Sequence, residues 1–501
     1  MIHHLPILQV ILPLLAAPAC LIINSHRWVW LFTLCVGLAS LLVSIALLTQ
    51  VTSSGPISYA LGGWEAPWGI EYRIDILNSW VLLIVCIFNV VALLPAYKSI
   101  GKELQAENHV YFYTLYLLCF AGLLGITATG DVFNIFVFLE ISSLSTYALI
   151  ALGSNRRALW ASYQYLIIGT IGASFILIGI GLLYIKTGTL NMQDLAIRIP
   201  LVAESKAIMA AMAFILVGIC MKLALFPLHA WLPNAYAYAP SVVTIFIAAT
   251  ATKVAIYLLI RFLFSVFGIE LSMKVLPLQS LFLCFGFLGV FIASILAITQ
   301  SNVKKMFAYS SVAQIGYMVV GLGIGSVLGL QATLLHLFNH ALIKGGLFLA
   351  LAGVMYQIGK TEISDFKGLG ARMPWTTLAI VVGGLSLIGV PLTAGFVSKW
   401  YLVLGALDAN LWPVAFLIVL GSVLAVVYVW RLVEQAYFSQ ETAATISSDT
   451  HSNTACEAPL AFLIPIWILV LANVYFGIDT RLTVSVSELA ATWLFGLSEA
   501  L

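Results

Sequence analysis

Apolar runs of about twenty residues, separated by short polar connections, recur along the whole chain. Each is long enough to cross a hydrocarbon layer of about 30 Å as an α-helix. Fourteen such runs are predicted, near 5–23, 28–50, 78–97, 110–129, 132–153, 160–185, 207–227, 240–264, 276–299, 304–326, 330–357, 374–404, 412–438 and 457–478. The longest polar connections, 51–77, 186–206, 359–373 and 439–456, are each too short to bury a core of their own. The pattern therefore predicts an all-α polytopic membrane protein with no soluble catalytic domain.

Two of the runs contain helix breakers. Phe226-Pro-Leu-His-Ala-Trp-Leu-Pro233 interrupts the seventh, and Gly389-Val-Pro-Leu-Thr-Ala-Gly395 interrupts the twelfth. The breaks lie five helices apart, and an odd offset reverses direction through the membrane. They suggest two inverted five-helix repeats, 110–265 and 276–438, preceded by helices 1–3 (1–109) and followed by helix 14 with a tail (439–501). Ordinary proline kinks are the alternative; a lysine beside each break favours repeats that line a cavity.

Composition agrees with the hydropathy. Of 501 residues, 62% are hydrophobic and 8% charged, against about 25% charged in soluble domains. A net charge of +2 gives no polybasic tail for nucleic acid. The seven cysteines (Cys20, Cys35, Cys86, Cys119, Cys220, Cys284 and Cys456) are scattered and form no C-x-x-C pair, which supports neither a disulfide framework nor an iron–sulfur site. The start, Met1-Ile-His-His-Leu, lacks a basic signal-peptide region, so the first run is expected to be retained.

With the N-terminus outside, eleven basic residues fall on the cytoplasmic side: Arg27, Lys98, Lys102, Arg156, Arg157, Lys304, Lys305, Lys360, Lys367, Arg372 and Arg431. Seven fall outside: Arg73, Lys186, Arg198, Lys206, Arg261, Lys274 and Arg481. The bias predicts both termini outside, in a cell inner (plasma) membrane.

Lys222, Lys253, Lys344 and Lys399 belong to neither side, because they fall within apolar runs. A charge near the bilayer centre costs about 2.5–3.5 kcal/mol, so these four lysines and Glu140 together cost on the order of 10 kcal/mol. Such a cost demands partners, water or function; structural ion pairs and snorkelling are the ordinary alternatives. Glu140, in the fifth run, is expected to pair with Lys222. An opposite charge within about 4–6 Å keeps both ionised, so making and breaking the pair changes how tightly the lysine holds its proton. The break after Lys222 is also expected to free carbonyls that favour a cation there. Lys253 can take a proton from Lys222 through a few waters if their helices pack together.

His336, His340 and Lys344 follow at i, i+4, i+8, on one helical face bordered by Asn339. Histidine titrates near neutral pH, so this face suits a water-wired proton relay. A polar packing seam and a haem or metal site are the rivals. Metal ligation lacks a matching histidine pair elsewhere, since His229 stands alone, and no metal or cofactor is expected. Lys399 is placed to finish the path near one face; Trp400 and Tyr401 make interfacial snorkelling its alternative, and Glu434 is its expected charge partner. Asp131 reads as a helix N-cap rather than a proton carrier.

Four ordered motifs resemble a known family: Lys222-Leu-Ala-Leu-Phe-Pro-Leu-His-Ala-Trp-Leu-Pro-Asn-Ala, Thr252-Lys-Val-Ala-Ile-Tyr, Lys304-Lys-Met-Phe-Ala-Tyr-Ser-Ser-Val-Ala-Gln-Ile-Gly-Tyr and His336-Leu-Phe-Asn-His-Ala-Leu-Ile-Lys. The chain is similar to the antiporter-like family. This family includes the large proton-channel subunits of respiratory complex I and the A and D subunits of Mrp-type sodium/proton antiporters. A length near 500 and the residues around Lys253 and Lys344 resemble the D subunits most. The resemblance implies fourteen helices in inverted repeats and a central hydrophilic axis. It implies Glu140 and Lys222 as a coupling pair, Lys253 as central carrier, His336 and His340 as linking histidines, and Lys399 as terminal carrier. Gln314 departs from the histidine often found there in complex I relatives.

The expected function is therefore a non-enzymatic proton path in a multisubunit antiporter that exchanges protons for a monovalent cation such as sodium. The alternative is a proton-pumping subunit of complex I or a membrane-bound hydrogenase. A scaffold that only docks partners fits poorly with aligned intramembrane charges.

Overall fold

The computed structural model describes residues 2–439 and 457–497. Helices α1 (Leu5–Ile22), α2 (His26–Ser54), α3 (Ile76–Leu93), α4 (Ala106–Ala128), α5 (Val132–Ala151) and α6 (Arg157–Thr187) open the chain. Helix α7 (Lys206–Leu223) ends at a break and resumes as a short helix, Leu232–Tyr238. Then follow α8 (Ser241–Val266), α9 (Leu278–Thr299), α10 (Val303–Ile324) and α11 (Val327–Ile358). The twelfth span is two half-helices, Pro374–Ile388 (α12) and Ala394–Asp408 (α12′). Helices α13 (Trp412–Tyr437), α14 (Leu460–Ile478) and the amphipathic α15 (Arg481–Leu494) complete it. Most of the 439–456 connection, with Cys456, lies outside the described residues.

Local chemistry sets the ends of these helices. Asp75, Asp131, Asn302 and Ser326 cap α3, α5, α10 and α11 by accepting backbone N–H bonds, so Asp131 has the expected capping role. Gly188 and Gly359, both left-handed, close α6 and α11.

An antiparallel hairpin, β1 (Ile57–Ala60) and β2 (Glu71–Ile74), marks one face of the helix bundle. On that hairpin face, Asp131 and Asn191 form an isolated antiparallel bridge, tied to β2 through Gly130 N to Glu71 O (2.8 Å). A second such bridge joins Asn302 and Glu362, each 171 positions further on. Counting spans puts the second bridge on the opposite face.

Burial separates the centre from the rim. The most apolar windows of α8 and α10 are 94% buried, whereas that of α2 is 28% buried and that of α14 33% buried. Leu38, Leu42 and Ile45 on α2 face outward, as lipid-facing residues do. The first half of α8 packs against α11, and α11 packs against α10 and both halves of the twelfth span. The four intramembrane lysines, Lys222, Lys253, Lys344 and Lys399, thus stand buried on four different helices of this bundle.

One break was not expected. Helix α8 is interrupted at Thr250, whose φ and ψ are −123° and −54°, without any proline or glycine. Its last turn, Arg261–Val266, widens to a π-helix.

Candidate functional site

Helix α5 presents Glu140, Ser143 and Tyr147 at i, i+3, i+7, one face of a helix. Lys222, the penultimate residue of α7, reaches that face. Its ammonium donates to Ser143 Oγ (2.8 Å) and Tyr147 Oη (3.4 Å), and lies 3.8 Å from Glu140 Oε1. The expected pair is therefore formed, with a hydroxyl inserted beside it. Ser143 and Tyr147 carry no charge that marks them in the sequence; their i+3 and i+7 spacing from Glu140 is the signal that points to them.

The carbonyls freed at the first break do not hold Lys222, contrary to expectation. The backbone N–H groups of Ala224 and Leu225 and the Trp231 indole occupy the Cys220 and Met221 carbonyls instead. Ala224 makes this turn in the left-handed region (φ 60°).

Helices α7 and α8 pack together. A cavity of about 40 Å³ lies between α4, α5, α7 and α8, lined by Ser143, Thr146, Lys222, Ala251 and Val254. That is room for a few waters beside Lys222 and next to the helical turn that carries Lys253. Lys253 itself is fully buried, and its ammonium donates to the Ala248 carbonyl (2.5 Å), which the interruption at Thr250 leaves available.

On α11, the His336 and His340 rings stack 6.0 Å apart at an interplanar angle of 4°. His336 Nδ1 lies 2.8 Å from Ser398 Oγ on α12′. Neither ring nitrogen of His340 has a hydrogen-bond partner among the described residues. Asn339 donates to the Ala394 carbonyl at the second break (2.6 Å). Lys344 donates to the Phe307 carbonyl (2.7 Å) and to Ser310 on α10. Helix α8, which carries Lys253, packs against α11, which carries His336, His340 and Lys344.

Lys399 is 6% exposed and turned inward rather than toward an interface. Its ammonium donates to the carbonyls of Leu387 (3.0 Å) and Ile388 (2.8 Å), at the end of α12, and to Ser422 Oγ on α13 (3.0 Å). The Tyr317 ring lies 4.8 Å away. Glu434 is not its partner. It follows Ser422 by twelve residues along α13, about 18 Å of helix.

Two charges counted as belonging to loops are also buried. Lys304 is 5% exposed and lies 3.3 Å from Ser241 Oγ; the Ser241 N–H is capped by Glu103 Oε2 (2.8 Å). Arg261 is 5% exposed and pairs with Asp75 at 2.8 Å. Hydropathy placed both at the ends of apolar runs, where depth is ambiguous.

The chain thus holds ionisable groups on five helices, from Glu140 at one flank through Lys222, Lys253, Lys344, His340 and His336 to Lys399 at the other. A subunit of Desulforudis audaxviator named NADH-quinone oxidoreductase subunit N is 43% identical over 98% of this chain and 99% of its own length. A protein of Alkalihalophilus pseudofirmus, named as the D subunit of a Na(+)/H(+) antiporter, is 32% identical over 81% of each chain. Among solved structures, a chain of the membrane-bound sulfane sulfur reductase, an archaeal respiratory membrane complex, superposes with a TM-score of 0.88 at 32% identity, covering 98% of this chain and 97% of that one. The family model described as "NADH:quinone oxidoreductase/Mrp antiporter, TM" matches residues 129–425, and the chain belongs to that family of multi-pass membrane subunits.

Proposed function

We propose that this chain is the proton-conducting subunit of a multisubunit monovalent cation/proton antiporter in the plasma membrane, with both termini outside. Protons pass between Glu140–Lys222, Lys253, Lys344, the two histidines and Lys399. The observation that carries this reading is the burial of all four lysines, at 8% exposure or less, on four different helices. None faces lipid. Each meets at least one hydroxyl or carbonyl oxygen, and the His340 nitrogens, without a hydrogen-bond partner among the described residues, are free to exchange a proton with water.

Making and breaking the Glu140 contact supplies the drive. With the carboxylate near, the ammonium of Lys222 is favoured; with it away, the proton moves on toward Lys253. The side chain of Glu140 remains 24% exposed, on a face of α5 shared with Phe133, Val137 and Leu144. A carboxylate facing lipid at that depth costs up to about 3 kcal/mol, so this face suits cover by a partner membrane subunit. The matched bridges at 131/191 and 302/362 support reading 110–265 and 276–438 as inverted repeats. In this role the chain is a transporter subunit rather than an enzyme.

A second reading replaces the cation gradient by a redox reaction in partner subunits. The 43% identical relative, named as a quinone oxidoreductase subunit, favours it. The two readings separate when the full gene cluster is expressed in membrane vesicles and proton movement is followed with a pH-sensitive dye. Antiport predicts proton movement on adding sodium; redox drive predicts it only with an electron donor. Under either driver, Lys222→Ala abolishes the signal, and an unchanged signal would refute the path.

A further inference from the structure

We propose that the Asp75–Arg261 ion pair is the gate through which this proton path opens to the hairpin face; the proposal rests on the proton-path reading above. A cavity of about 440 Å³ opens there, and its lining includes Arg73, Asp75, Thr129, Tyr257, Arg261 and Trp493. Helix α8 connects it to the centre of the molecule. Lys253, Tyr257 and Arg261 stand at i, i+4, i+8 and so share a helical face.

Arg261 closes this route twice. Its guanidinium pairs with Asp75 (2.8 Å), the carboxylate that caps α3, and its Nε–H donates to Tyr257 Oη (3.2 Å). Tyr257 in turn donates to the Thr127 carbonyl (3.0 Å), so Arg261 takes up the tyrosine oxygen's accepting role. A proton leaving Lys253 along α8 meets an occupied hydroxyl and a carboxylate already neutralised. Lys253 meanwhile points the other way, to the Ala248 carbonyl.

Two features suit Arg261 to moving. It sits at the start of the π-helical turn, and the Tyr257 and Trp493 rings lie 5.2 and 5.9 Å from its guanidinium, offering a second cation site beside the pair. A buried ion pair adds little net stability but suits a two-position switch. When Arg261 withdraws, the Lys253 ammonium gives a proton to Tyr257 as the tyrosine proton passes to Asp75. That leaves a neutral amine, an intact tyrosine and a neutral carboxylic acid. The acid then releases its proton to water in the cavity and the carboxylate re-pairs with Arg261.

The test uses the whole complex in vesicles, with co-purification of the partner subunits as the check on assembly. Arg261→Gln is expected to raise passive proton leak, without a driving ion or electron donor, by about tenfold or more, and Tyr257→Phe to slow coupled transport by about tenfold or more. A buried Tyr257→Cys should react with a membrane-impermeant maleimide only when Arg261→Gln is also present. Should Arg261→Gln fail to assemble, Tyr257→Phe decides. If Lys222→Ala abolishes transport while Tyr257→Phe runs at the unmodified rate, the gate is refuted and the proton path stands. If Lys222→Ala has no effect, the path itself fails.

Discussion

The two broken spans hold their lysines in opposite ways. At the break after α7, the freed carbonyls are used up by backbone N–H groups and the Trp231 indole, and Lys222 leans on the neighbouring α5 with Glu140 3.8 Å away. At the break after α12, two freed carbonyls point at Lys399, Ser422 completes the set, and no carboxylate among the described residues is within ion-pair distance. One ammonium answers to a carboxylate on a neighbouring helix; the other sits in a fixed ring of dipoles. The first site suits coupling to an outside event, and the second suits a constant stopping point. Similar sequence punctuation, a breaker and a lysine, therefore yields two different electrostatic devices.

The largest effect that separates them is expected from Glu140→Gln. This substitution keeps shape but removes the charge, leaving Lys222 with Ser143 and Tyr147 alone. Coupled proton transport in vesicles should fall about a hundredfold; a fall of less than threefold would mean that Lys222 does not depend on its acid. The next effect concerns the turns. Gly389 has φ +93°, and a Cβ there would lie 3.0 Å from Lys399 Cδ. Gly389→Ala should destabilise the complex by about 1–3 kcal/mol, read as a lower thermal midpoint. Ala224, at φ 60°, already carries the corresponding strain at the first break, so Ala224→Gly should raise the midpoint or leave it unchanged. Equal shifts from both would show the breaks to be equivalent. The smallest effect is Ser422→Ala, which leaves Lys399 its two carbonyls. It should cost about 1 kcal/mol, or about fivefold in transport rate. A loss as large as that of Glu140→Gln would remove the contrast.

Much of this arrangement is legible in the amino-acid sequence. The spans, both breaks, the Glu140–Lys222 pair and the shared face of His336, His340 and Lys344 follow from hydropathy, proline and glycine positions, and helical spacing. What stays hidden is lateral: which helix faces which. Asp75 and Arg261 are 186 positions apart, each at the end of an apolar run, and hydropathy reports depth along one helix but not its neighbour across the bundle. Lys304 was counted as a loop charge for the same reason. The assignment of Glu434 to Lys399 failed along the helix axis, because a lysine at a broken helix finds carbonyls nearby and needs no distant acid. The interruption at Thr250 carries no proline or glycine, and so left no mark in the pattern of breakers.

The proposed route from Lys222 to Lys399 must pass the stacked histidines between them. His340→Phe keeps a ring at that position but removes both exchangeable nitrogens, and leaves Glu140, Lys222 and Lys399 untouched. Proton flux through the assembled complex in vesicles is the direct readout. His340→Phe is expected to abolish it while the complex still assembles; flux at the unmodified rate would rule out a continuous path from Lys222 to Lys399.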